Sequence, residues 1–167
     1  MGALGKLVDA ILLLFSLVIA LAAPLLDAQT CLPTTIFPDL LVETKQWYSR
    51  EYGDYLVEEK PNFFVALVWI ELLLQWPLSL VNIYGILAGK SWVKSTCLIY
   101  GVSTFTSMVT ILGELKGSGK ASDTLMNMYL PFLGFSILAI LRGLVPQSAK
   151  SATIIGKRPA IARKKRA

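Results

Sequence analysis

Glu71 and Gln75 stand one helical turn apart inside the run VALVWIELLLQWPLSLV, and Glu71 is the one carboxylic acid between residues 63 and 87. A carboxyl sunk that deep in a bilayer costs a few kcal/mol unless it faces a cavity or a partner. Glu71 is therefore expected to point inward. Gln75 follows at i+4 and shares that face, while Pro77 removes a backbone donor and predicts a kink beside the pair. The chemistry on offer is a carboxyl that can give or accept a proton and an amide that can donate and accept, together lining a pocket between membrane helices.

Two further acids are candidates for the same pocket. Asp27 follows Pro24 at the exit of the first apolar run; it reads either as an interfacial carboxylate ending the span or as an acid at the pocket's mouth. The residues alone favour the interfacial role, since charge at the water boundary is inexpensive. Asp54 follows Gly53 at a break, either as a turn carboxylate bonding local backbone donors or as a second acid above the cavity. Three acids around one low-dielectric pocket cannot all stay charged cheaply. A Glu71 that keeps its proton could donate to Gln75 or Asp27, leaving a single net negative site for a cationic amphiphile.

The elements that must hold these residues are membrane helices. With 167 residues, 54% hydrophobic and 16% charged, and a mean hydropathy of +0.60, the chain is too apolar for an ordinary soluble domain. The expected fold class is an all-α membrane protein, a four-transmembrane-helix bundle with kinked helices and a short lumenal helix or loop. Spans are expected over about residues 7–26, 63–87, 93–112 and 125–144, within one domain of residues 1–149 and ahead of a basic tail, 150–167. The first run also fits a cleaved leader, but its length and the charge asymmetry below favour a retained helix. Residues 39–52 carry Leu40, Leu41, Thr44, Trp47 and Tyr48 at helical spacing, with Asp39 as an N-terminal cap, and predict a helix against the membrane surface or plugging the bundle's end. The third span is rich in hydroxyls, and Tyr100, Ser103, Thr104, Ser107 and Thr110 share a broad face. Their usual fate is helix packing, but they could also form a partly polar cavity wall. Residues 113–123, GELKGSGKASD, read as a flexible loop. Pro131 predicts a bend in the fourth span, and Arg142 closes it, able to snorkel to the interface.

Charge sets the orientation. The first long loop holds Lys45, Arg50 and Lys60 against Asp27, Asp39, Glu43, Glu51, Asp54, Glu58 and Glu59, whereas seven basic residues follow Leu144. The positive-inside rule then assigns both termini to the cytosol and the acidic loop to the lumen or exterior. Glu71 falls roughly a dozen ångströms below the lumenal surface at about 1.5 Å per residue. The net charge of +5 is explained by the tail, which suits anionic headgroups better than nucleic acid. Lys164 and Lys165, fourth and third from the end, form a dilysine pattern read by retrieval machinery in the endoplasmic reticulum, an address rather than an anchor; a generic positive-inside tail explains them equally well. Cys31 and Cys97 lie toward opposite faces, so no intrachain disulfide is expected. The chain has no histidine, which removes imidazole metal sites, triads and proton shuttles.

The segments MGALGKLVDAILLLFSLVIALAAPLLDAQTCLP, WYSREYGDYLVEEKPNFF, WIELLLQWPL, LIYGVSTFTSMVTIL and MYLPFLGF, in that order, resemble the sigma-2 receptor branch of the EXPERA-domain (emopamil-binding-protein-related) membrane proteins. The resemblance implies a four-helix membrane bundle in the endoplasmic reticulum, often a homodimer, with a ligand cavity opening laterally to lipid. It implies sterols and hydrophobic amines as ligands, and a role in cholesterol handling that includes a lysosomal cholesterol transporter as partner. It makes Asp27 the acid that pairs with a ligand amine and Asp54 the acid that orders the cavity. Glu71 and Gln75 are then inside the pocket, with Tyr100, Thr104, Thr110 and Phe132 as lining. Phe132 stands where a tyrosine is expected, which removes one hydrogen bond to a ligand. Relatives that isomerise sterol double bonds place a histidine beside an acid, and this chain has none, so that activity is not inherited. No cofactor, metal site or catalytic residue is expected. A non-enzymatic binding protein leads; a carboxyl-only sterol isomerase and a purely structural scaffold are the alternatives.

Overall fold

The computed structural model describes residues 3–145. Lys164, Lys165 and the rest of the basic tail, with the domain boundary expected there, lie outside them. Every regular element among the described residues is helical: α1 (Ala3–Leu25), α2 (Asp39–Tyr52), α3 (Tyr55–Glu59), α4 (Asn62–Ile70), α5 (Trp76–Leu87), α6 (Val93–Ser118) and α7 (Asp123–Leu144), with short 3₁₀ turns after α1. Four stretches, Ala3–Thr30, Asn62–Leu87, Val93–Ser118 and Asp123–Leu144, are long and apolar enough to cross a bilayer. This is the all-α, four-span membrane architecture that the composition demanded. Side chains such as Leu14, Leu21, Leu73 and Leu87 stand exposed on the outside, as expected where lipid rather than water is the neighbour.

The expected kink takes a specific form. Pro77 cannot donate, and its ring crowds the carbonyl four residues earlier. The chain responds upstream of it. Glu71–Gln75 form a π-turn between α4 and α5, in which the Trp76 N–H reaches back five residues to the Glu71 carbonyl. Such turns occur mostly as single insertions within α-helices, frequently at functional sites. Here the turn is pinned from α6, because Gln75 Nε2 donates to Ser103 Oγ at 3.1 Å and to Ser107 Oγ at 3.2 Å. From α1, the Ala20 carbonyl accepts from Trp76 Nε1 at 3.1 Å.

Close approach of α6 and α7 rests on glycines. A Cβ on Gly101 would lie 2.8 Å from the Ile140 nitrogen and 2.9 Å from the Ser136 carbonyl oxygen, both backbone. Small residues at such contacts let helices pack without a hydrophobic driving force between them. Midway along the first and last helices Phe15 stacks on Phe135 at 4.4 Å, and nearer the end where the described chain starts and stops Arg142 Nε donates to Asp9 Oδ1 at 2.6 Å. Arg142 thus does not snorkel outward. It turns inward and ties the last helix to the first.

The third span is longer than its apolar stretch suggested. Helix α6 continues to Ser118, and GELKGS is helical rather than a loop. The extra turns are held by α3: the Tyr55 hydroxyl donates to Glu114 Oε1 at 3.2 Å and shares a hydrogen bond with the Ser118 hydroxyl at 2.9 Å. Lys120 then pairs with Glu59 at 3.0 Å. Gly119, at φ +67°, ends the helix in a left-handed conformation that glycine adopts without cost.

Helices α2 and α3 cap the opposite end of the bundle. Pro38 rather than Asp39 occupies the capping position of α2, with no side-chain bond to the helix N-terminus, so Asp39 is its first helical residue. Gly53 at φ +62° breaks α2, and Asp54 caps α3.

Candidate functional site

A cavity of about 360 Å³ opens beneath this cap, between α1, α2, α4, the π-turn, α6 and α7. Its size lies within the range of small-molecule sites, about 300–1,000 Å³. Most of the wall is apolar, with Ile19, Phe64, Val68, Met108, Ile111 and Phe132 among its side chains. The polar groups are few and come from different elements.

Asp27 enters from the 3₁₀ turn that ends the first span, and Glu71 and Gln75 enter from the π-turn. Among the described residues no side chain or backbone group donates a hydrogen bond to either the Asp27 or the Glu71 carboxyl, although the Asp27 charge acts on Glu71 and the Lys45 charge acts on both. Carboxyls with no protein donor inside a bundle require a partner from elsewhere, because a buried polar group left unmatched is costly. Gln75 is different. Its amide is committed to Ser103 and Ser107, so it shapes the wall rather than waiting for a guest.

Asp54 is fully buried and does not reach the cavity surface. Its Oδ1 accepts from the Leu56 and Val57 backbone N–H groups at 3.2 and 3.4 Å, capping α3. Its Oδ2 accepts from the Tyr48 hydroxyl at 3.2 Å and the Tyr129 hydroxyl at 2.7 Å. Both tyrosines line the cavity. One carboxylate therefore does both jobs considered for it: local turn chemistry and, through two phenols, the ordering of the cavity's upper wall. Burial first, and then the Asp54 charge, pushes the Tyr48 phenol up, so it stays protonated and keeps donating.

The hydroxyl face of α6 divides. Thr104 and Ser107 line the cavity. Tyr100, one turn before Thr104, lies behind the lining, packed edge-on to Phe135, and the hydroxyls of Tyr100 and Thr104 are buried with no hydrogen-bond partner. Thr110 is exposed at the edge of that face, outside the cavity lining, where its hydroxyl bonds back to the Thr106 carbonyl at 2.9 Å. Its placement in the wall is corrected: it caps its own backbone toward lipid, the ordinary role of threonine in a span.

Three residues of the site do not stand out as site residues in the sequence. Tyr48 and Tyr129 are two of them, and Lys45 is the third. Lys45 lies four residues after Leu41 and three before Tyr48, spacing that shares a helical face. From α2 its ammonium reaches over the end of α1, donating to the Leu26 carbonyl at 2.9 Å and to Thr30 Oγ1 at 2.7 Å. Burial pushes it down to about 8, with the Asp27 charge opposing and Lys60 adding to the fall. Among the described residues no three acidic or cysteine side chains converge as a metal site, and Cys31 and Cys97 are both free thiols.

A family model described as EXPERA, the expanded EBP superfamily, matches residues 40–143. The chain belongs to the EXPERA family. Among curated proteins, this EXPERA chain is 28% identical over 130 residues to the Sigma intracellular receptor 2 of Xenopus tropicalis, an overlap covering 70% of this chain and 76% of that protein. It is 29% identical over 124 residues to the protein of the same name from Homo sapiens, covering 65% of this chain and 70% of that protein. Family membership and four apolar spans together make it a multi-pass membrane protein similar to the sigma-2 receptors.

Proposed function

We propose that this protein is an intramembrane binding protein for sterols, other lipids and hydrophobic amines, acting as a regulator of intracellular sterol trafficking rather than as an enzyme. The observation that carries the reading is the pair of carboxyls, Asp27 and Glu71, facing an apolar cavity without a hydrogen-bond donor from the protein. An amphiphile resolves both features at once: its body fills the apolar volume and its head meets the acids. Asp27 engages the ligand's head, Glu71 offers a deeper polar contact, Asp54 orders the wall through Tyr48 and Tyr129, and Gln75, Tyr100, Thr104 and Phe132 shape the interior. Residence in the endoplasmic reticulum with both termini cytosolic, homodimer formation, and contact with a lysosomal cholesterol transporter belong to the same proposal. They are supported by the family resemblance and, for location, by Lys164 and Lys165.

Mass-spectrometric capture of what copurifies from native membranes tests the proposal. The wild-type chain is expected to carry a sterol or related amphiphile, and Asp27→Asn to carry at least about tenfold less, since a charged hydrogen bond is lost. Equal retention in both forms would remove Asp27 from the site.

A further inference from the structure

The acid at the cavity mouth already has a cation beside it. Lys45 and Asp27 both line the cavity, and each acts on the other's charge. The Lys45 ammonium is not free to leave: two of its three donors are spent on the Leu26 carbonyl and Thr30 Oγ1, on either side of Asp27 in sequence. These bonds fix a positive charge where the head of a cationic ligand would have to sit. A protonated amine drawn to Asp27 gains an attraction and meets a repulsion of similar range. A neutral head such as a hydroxyl meets no such repulsion, and can accept from the ammonium while donating to a carboxylate.

We infer that Lys45 is a built-in counter-ion for Asp27 and a specificity-determining residue, making the cavity prefer neutral, hydroxyl-headed amphiphiles to the hydrophobic amines it also accepts. This rests on the reading that the cavity holds an amphiphile, and it assigns the head chemistry that the acids alone would predict the other way. Selection against the wrong partner by like charge is a common device of specificity. The groups acting on Lys45 are Asp27, Lys60, Cys31 and Asp54. Burial pushes the Cys31 thiol up, so near pH 7 it adds no charge beside Lys45.

Two probes with one ring body separate the outcomes: a sterol bearing a 3-hydroxyl and its analogue bearing a 3-trimethylammonium group, whose charge is fixed at every pH. They are titrated against the full chain in nanodiscs, as wild type, Lys45→Gln and Lys45→Met. The glutamine keeps a hydrogen-bond donor for the loop, so a fold defect confined to the methionine variant is recognised. The wild type is expected to prefer the hydroxyl probe, and both variants to shift the ratio of affinities toward the cation by about tenfold or more. An unchanged ratio in both variants, with the sterol still bound saturably, overturns the role of Lys45 and leaves the cavity's function standing. If neither probe saturates the wild type, both fail.

Discussion

Asp54→Ala lowers thermal stability and ligand binding together, although its side chain never touches the cavity. The carboxylate is inaccessible, at 0% exposure, and serves four donors at once. Its removal costs the cap of α3, about 1 kcal/mol, and leaves two phenols without their acceptor at about 1–3 kcal/mol for each buried group. The melting temperature is expected to fall by about 10 °C, using a slope of roughly 2–4 °C per kcal/mol for a chain of this size. Asp54→Asn keeps one acceptor oxygen and falls between the two. A melting curve for Asp54→Ala that overlays the wild type contradicts the ordering role.

Asp9→Ala is the second large effect, and it acts at the other end of the bundle. Asp9 and Arg142 side chains are 13% and 11% exposed, so the pair is shielded from the screening that makes surface ion pairs weak. Removing one member of a buried pair costs up to about 3–5 kcal/mol, because the other loses its opposite charge in a low-dielectric site. The contact joins α1 to α7, so its loss loosens the first span from the bundle. A double-mutant cycle with Arg142→Gln, read by thermal melts in detergent, is expected to give a coupling above about 1 kcal/mol; a value under roughly 0.5 kcal/mol marks the sites as independent.

The parts of this molecule that sequence reveals are those with a steep local cost. An acid in a 25-residue apolar run has to be turned inward, and four such runs have to pack against one another, so Glu71 and the bundle were legible before any coordinates. The π-turn was not, because Pro77 specifies only that a hydrogen bond is missing; where the helix absorbs the loss depends on Ser103 and Ser107 across the interface. Helix α6 was cut short at Leu112 for a related reason. The glycines and serines of GELKGS weaken a helix in isolation, and the Tyr55 hydroxyl that holds them is about 60 residues away in sequence.

The cavity wall shows the limit of periodicity. Tyr100, Thr104, Ser107 and Ile111 recur at four, three and four residues and are all buried, whereas Thr110 falls at the edge of that stripe and faces out. A broad polar face had been accepted where a narrow one was built. In the sequence Lys45 is one of three basic residues in an acidic loop, and nothing local sets it apart. Only its position over the end of α1 distinguishes it from Arg50, which bonds back to its own helix at Gln46.

The central claim, that the space beside Asp27 and Glu71 holds an amphiphile, is tested most directly by photolabelling the full chain in membranes with a diazirine sterol and mapping the labelled peptides. Saturable label on cavity residues such as Val68, Met108 and Phe132, displaced by excess unlabelled sterol, is the expected result. Label confined to outward residues such as Leu14, Leu21 and Leu73, rising without saturation, would show that sterol meets this protein only as bulk lipid.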